Sequence, residues 1–185
     1  FGPEKTAELL DKIKEFGYHY GTLAGVTVSV EDLEIPSTKK GLLEEADKQV
    51  QEVEEEYRQG KIINDERYRK IVEIWSEVTE KVTNDMMNNL DEFNPVYMMA
   101  NSGARGSIAQ MRQLAGMRGL MSDTQGRIME KPIRVNFREG LSVLDFFMSS
   151  HGARKGASDR ALRTADSGYL TRRLVDISHE VIIKK

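Results

Sequence analysis

Glycine and arginine recur every few residues between Asn101 and Gly119, where the chain reads Asn101-Ser-Gly-Ala-Arg105-Gly-Ser-Ile-Ala-Gln-Met-Arg112-Gln113-Leu-Ala-Gly-Met-Arg-Gly119. Glycine lets a backbone come close to a ligand, and arginine offers a fork of donors that fits phosphate. Gly103-Ala-Arg105-Gly106 is not a nucleotide-phosphate loop of the Gly-Lys-Ser/Thr kind, because no such triplet follows at the required spacing. A tight structural turn accounts for it equally well. A second such stretch runs from Ser150 to Ile183. Gly152, Gly156 and Gly168 sit there in a helical pattern punctuated by Arg154, Lys155, Arg163, Arg172 and Arg173. Each interior glycine costs a helix about 1 kcal/mol relative to alanine, so three imply close approach or bending. Ala161, Thr164, Ala165 and Gly168 make a stripe of small residues. Flanked by arginines, that stripe suits a base pair or a sugar–phosphate backbone; on spacing alone, a second helix packed close is the better fit.

Other chemistry is excluded. The 185 residues contain no cysteine, which removes disulfides, thiolate metal sites and a cysteine nucleophile. The three histidines, His19, His151 and His179, are too scattered to suggest a metal site. The net charge of -3 conceals a polarity: residues 1–100 carry 12 Lys and Arg against 22 Asp and Glu, and residues 101–185 carry 15 against 8. The basic half is the one that would face an anionic partner. No apolar run approaches the roughly 20 residues needed to cross a bilayer, and no targeting segment is visible, so a cytoplasmic place is expected.

The elements that must position these residues are mainly helical. Pro3 suits a first helical position; Leu9, Leu10, Ile13 and Phe16 mark an apolar face, and Gly17 is expected to stop that helix. Val26, Val28 and Val30 alternate with polar residues as in a short strand. Pro36-Ser37-Thr38 breaks the chain and offers a cap. Leu43, Ala46, Val50, Val53 and Tyr57 then form a heptad seam that ends at Gly60. Asn64 is expected to cap a second helix, with Tyr68, Ile71, Trp75, Val78, Val82 and Met86 on one stripe. Two seams joined by a turn predict an antiparallel helical hairpin with arms of about 18 residues, roughly 27 Å long. Met121 to Met129, around Gln125-Gly126, reads as a small β-hairpin. Leu141 to Met148 reads as a short apolar helix preceding the glycine-interrupted one. The expected fold is mainly α: a helical hairpin, a long glycine-interrupted helix and small β-hairpin elements.

Several blocks resemble a known family. Asn101 to Ser107 and Gln113 to Met121 resemble the F-loop region of the bacterial DNA-directed RNA polymerase beta-prime subunit. Asn136-Phe-Arg-Glu-Gly140 and Ser150-His-Gly-Ala-Arg-Lys-Gly156 continue the likeness. Thr164-Ala-Asp-Ser-Gly-Tyr-Leu-Thr-Arg-Arg-Leu-Val-Asp176 is similar to that subunit's bridge helix. Residues 94–183 match nearly without interruption, and the first 90 resemble the preceding pore region more loosely. Asn101 stands where the family often has aspartate.

The resemblance implies an internal piece of a longer subunit. Residues 1–93 would be a pore or funnel region whose rim hairpin spans about 40–90. Residues 94–140 would be the F-loop region and 141–185 the bridge-helix region. The family's metal-holding Asn-Ala-Asp-Phe-Asp-Gly-Asp loop is missing, as are its trigger loop and zinc-binding cysteine clusters. No catalytic residue, metal ligand or cofactor is therefore expected in this piece, which would be inactive alone; magnesium would be held by residues outside the chain. Thr164 and Ala165 match the positions nearest the template base. Arg154, Lys155 and Arg163 are candidate phosphate contacts, while Gly168, Arg172 and Arg173 would face the template strand or trigger loop. Gly152 and Gly156 match one flexible region of the bridge helix, and Asp166, Ser167 and Gly168 match a second. Arg105, Arg112 and Gln113 match the loop that braces it. The implied partners are template DNA, product RNA, the other polymerase subunits and factors that enter the secondary channel, with no membrane. The rival reading is a free-standing nucleic-acid-binding adaptor that uses its hairpin to grip a protein.

Overall fold

The computed structural model describes residues 2–184. Among them the chain forms six helices: α1 (Pro3–Ala24), α2 (Lys39–Arg58), α3 (Asn64–Asn89), α4 (Pro95–Asn101), α5 (Ile108–Ala115) and α6 (Val143–Ser178). The fold is mainly α, as the sequence predicts.

Helices α2 and α3 fold back on one another as the two seams require. Ala46 and Val53 of α2 are buried against Ile71, Trp75, Val78 and Val82 of α3, with Leu43 and Val50 packed at the edge. Each buried valine or isoleucine contributes roughly 1.5–3 kcal/mol on leaving water, which makes this seam the principal store of stability in the chain. The turn between the arms relies on Gly60, whose φ of 72° is left-handed. A second, smaller cluster joins Met86 at the end of α3 to Met111 and Ala115 of α5.

Between α5 and α6 the chain runs as a narrow ribbon held to the hairpin. Gly119 pairs with Ile133, and Ser122 with Ile128, in antiparallel bridges around the turn at Gln125-Gly126. Four side-chain clasps fix the ribbon. Arg67 grips both oxygens of Glu130 at 2.8 Å. Arg134 grips Asp47 at 2.8 and 2.6 Å while lying over the Trp75 ring. The Tyr68 hydroxyl donates to the Ile128 carbonyl at 3.0 Å. Lys39, almost fully buried, donates to Glu139. Bidentate arginine–carboxylate pairs fix orientation as well as distance, so the ribbon has a defined orientation on the hairpin.

Five expectations need correction. Gly17 does not stop α1; with no neighbour near it, the helix runs through to Ala24 and ends where Gly25 turns left-handed at φ 58°. Val26, Val28 and Val30 form no strand, since no second segment lies alongside to pair with them. Asn64 is the first residue of α3 and not its cap; the cap position is Ile63, and the Asn64 amide oxygen accepts from the Arg67 side chain. Thr38 occupies the α2 cap position without capping, because its hydroxyl donates to Asp85 on α3 at 2.6 Å. Finally, Leu141–Met148 and the stretch beyond it are not two helices. Ser142 and Asp145 form a reciprocal capping box, and α6 then runs unbroken for 36 residues through all three glycines.

Candidate nucleic-acid interface

Helix α6 offers nearly its whole circumference. Of its 36 residues only Ser149 is buried, and every residue from Ala153 to Ser178 is exposed. Its start is anchored lightly: Met121 approaches Gly152, and the Lys155 ammonium approaches Gly126. Beyond that it projects. Gly156, Asp159, Arg160, Arg163, Thr164 and Ser167 line one open groove of about 550 Å³ along the helix. The Thr164 hydroxyl donates to the Arg160 carbonyl at 2.7 Å and so is turned back onto its own helix.

The remaining residues singled out on α6 do not share that face. At about 100° per residue, Ala165, Gly168, Arg154 and Arg172 lie roughly 40–100° round from Thr164 on the side away from the groove. Lys155 and Arg173 lie on the back. Arg173 stacks over Tyr169 at 4.7 Å and Arg172 makes only a loose pair with Asp176 at 3.9 Å. One rigid duplex cannot touch all these cations at once; two faces with two partners can. Gly152, Gly156, Asp166, Ser167 and Gly168 are all helical, and nothing crowds Gly156 or Gly168. The small stripe of Ala161, Thr164, Ala165 and Gly168 is exposed, so no helix of the described chain packs on it. Arg160 is a residue that sequence reading passed over, although its position four before Thr164 puts it on the same stripe.

The loop of residues 94–116 is built tightly. Asn94 caps α4 by accepting from Val96 and Tyr97, and its amide donates to the Asp32 carbonyl at 2.8 Å. Gly103 and Gly106, at φ 72° and 87°, make the turn that places Arg105. Gly116 must be glycine: a Cβ there would lie 2.9 Å from the Arg112 carbonyl oxygen. Buried Asn136 donates to the carbonyls of Ala115 and Gly116 at 2.9 and 3.0 Å, closing the loop against the ribbon. Arg105 and Gln113 line one apolar cleft of about 370 Å³ with Met99, Leu114 and Phe137. Arg112 is not with them. It lies on the other side of α5, in a cleft with Arg118, whose burial pulls its pKa below the usual arginine value.

Two family models match in succession. RNA polymerase Rpb1, domain 4, covers residues 62–141, and RNA polymerase Rpb1, domain 5, covers residues 140–185. Curated proteins agree across the full chain. It is 70% identical over 184 residues to the DNA-directed RNA polymerase subunit beta' of Fusobacterium nucleatum. It is 62% identical to that of Caldanaerobacter subterraneus and 59% identical to that of Clostridium kluyveri.

The chain belongs to the RNA polymerase beta-prime family.

It spans only 14–16% of the length of these relatives. The boundary between the two family models falls at residues 140–141, in the short link that enters α6. The long exposed helix and its capping box thus belong to the domain 5 segment. The hairpin's second arm, α5 and the ribbon belong to domain 4. No described helix is long and apolar enough to cross a membrane. Nor do the described residues contain a group of three or more His, Cys, Asp or Glu able to hold a metal ion.

Proposed function

We propose that this chain serves as a segment of the beta-prime subunit of a cytoplasmic DNA-directed RNA polymerase and takes part in templated RNA synthesis by positioning. The observation that carries this reading is a 36-residue helix, exposed over its length, in the region matched by the family's domain 5. A helix this bare is not kept by contacts within the chain, and a groove of small and cationic residues fits a nucleic acid lying across it.

In this reading Thr164, at the edge of the groove, and Ala165, about 100° round from it, meet the template base, while Arg160 and Arg163 along the groove reach its phosphates. Arginine supplies bidentate donors to phosphate; Thr164 and Ala165 keep the surface low enough for a base to lie flat. Gly168, with Asp166 and Ser167, and Gly152 with Gly156, give two places where the helix bends as the template advances. Arg154 and Lys155 reach phosphate from the helix start, and Arg172 and Arg173, on the same two faces farther along, serve the template strand or the trigger loop. Arg105, Arg112 and Gln113 belong to the loop that braces the helix. The hairpin of α2 and α3 offers its charged outer faces to factors entering the secondary channel, and the other subunits cover α1 and the back of α6. Phosphoryl transfer needs metal ions held elsewhere in the assembly, so the chain alone is inactive.

The test is made in an assembled polymerase carrying this segment. Ala165→Trp, which puts an indole where the base would lie, is expected to slow elongation at least 100-fold. Ile177→Trp, near the far end of α6, is expected to leave it within twofold. Equal rates for the two variants would refute the reading. Salt-sensitive DNA binding by the chain without any other subunit would instead favour the adaptor.

A further inference from the structure

Arg112 and Arg118 converge on a cleft of about 220 Å³ whose other walls are Ser76, Thr79 and Glu80 of α3 and Leu120 of the ribbon. The Nε atom of each guanidinium is buried without a protein acceptor. Arg112 makes no ion pair among the described residues. Arg118 donates once, to the Gln113 amide oxygen at 3.3 Å, and lies over the Phe137 ring at 4.9 Å. The contrast with Arg67 and Arg134 is direct, since each of those is locked on both oxygens of a carboxylate. The Ser76 and Thr79 hydroxyls already donate to the carbonyls of Val72 and Trp75. Glu80, exposed at the mouth, lies beyond ion-pair distance of both arginines among the described residues. Arginine keeps its proton even where burial disfavours the charge, so two such cations side by side repel one another and leave donors unused. A single anion between them removes both costs.

We propose that Arg112 and Arg118 form an oxyanion socket that receives one carboxylate or phosphate group. The cleft exceeds the roughly 30 Å³ of a single water several-fold, and the arginine forks match the planar or tetrahedral oxygens of either anion. The group comes from an Asp or Glu of a neighbouring protein segment or from free phosphate; the two sources share the same chemistry. The socket stands apart from the transcription reading, because it rests on contacts that do not involve α6.

The test is side-chain nitrogen NMR on the full chain, titrated at fixed ionic strength with sodium phosphate and, separately, with sodium acetate. The Nε–H signals of Arg112 and Arg118 are expected to shift saturably, while those of Arg67 and Arg134 stay still. In Arg118→Lys the affinity read at Arg112 is expected to fall at least tenfold. In Glu80→Gln, which leaves the packing intact, it is expected to rise about twofold or more as a competing negative charge leaves the mouth. Phosphate binding at least tenfold tighter than acetate assigns the socket to phosphate; acetate binding as tightly or more so assigns it to a protein carboxylate. No saturable shift with either anion, or equal shifts at Arg67 and Arg134, overturns the proposal.

Discussion

Helices α2 and α3 bury Ala46, Val53, Ile71, Trp75, Val78 and Val82 along their shared seam, whereas α6, longer than either, buries Ser149 alone. The hairpin is held by tertiary contacts that the chain itself supplies. The long helix is held by local terms: a capping box, backbone hydrogen bonds and side-chain propensity, less the cost of three interior glycines. Isolated helices are marginal on local terms, and most helical stability in proteins comes from a packed face. The difference shows where each part finds its partner. For the hairpin it is inside the chain, and on the proposed function that of α6 lies outside. Helix α1 sides with α6, since none of its residues is buried although Leu9, Leu10, Ile13 and Phe16 share a face.

The sharpest way to break this contrast is to remove a large side chain from each region. Trp75→Ala is expected to destabilise the hairpin by about 3–5 kcal/mol, and Leu170→Ala on α6 to change stability by less than about 0.5 kcal/mol, both by urea denaturation followed by circular dichroism. Comparable losses would mean that α6 packs within the chain. Asn136→Ala should cost about 1–3 kcal/mol, because the carbonyls of Ala115 and Gly116 lose their donor in a buried place.

Glycine substitutions divide the two regions by sign. Gly168→Ala meets no neighbour and should raise the helicity of α6 by up to about 1 kcal/mol, at the expense of any bending there. Gly116→Ala drives a methyl against the Arg112 carbonyl and should instead loosen the loop. Amide exchange at residues 108–119 in the second variant and at 160–175 in the first reads both effects. The smallest effect is electrostatic. The hydrogen bond to Glu56 raises the Lys70 pKa above the usual lysine value. Its contribution is therefore present throughout the neutral range and lost only as the pH climbs through that raised value. Lys70→Met should flatten the alkaline limb of the thermal melting profile.

The hairpin was legible in the sequence because both of its partners are there: residues spaced three and four apart on each arm declare the face, and the structure buries or half-buries those same residues. Tyr57, at the arm's end, is the exception, 42% exposed because the seam has run out. Errors came at boundaries, where a single residue type has several uses. Gly17 and Gly25 look alike in sequence, yet only Gly25 takes the left-handed turn. Thr38 and Asn64 are both good caps by type, yet Thr38 spends its side chain on Asp85 of α3 and Asn64 on Arg67 one turn along its own helix. The alternating valines of 26–30 need a pairing strand that the described chain does not provide. On the interface side, the glycine and arginine texture pointed to α6 and the loop of residues 94–116. What it could not give was rotation: that Arg112 faces Arg118 and not Arg105, and that Lys155 and Arg173 lie behind Thr164, follows from helix phase and from where α5 packs.

The central claim is that α6 is completed by partners outside this chain, while the hairpin is complete within it. Amide hydrogen exchange on the chain alone tests it most directly. Slow exchange at residues 46–57 and 68–86 together with rapid exchange across 153–178 is the predicted result. Protection across 153–178 equal to that of the hairpin would contradict it.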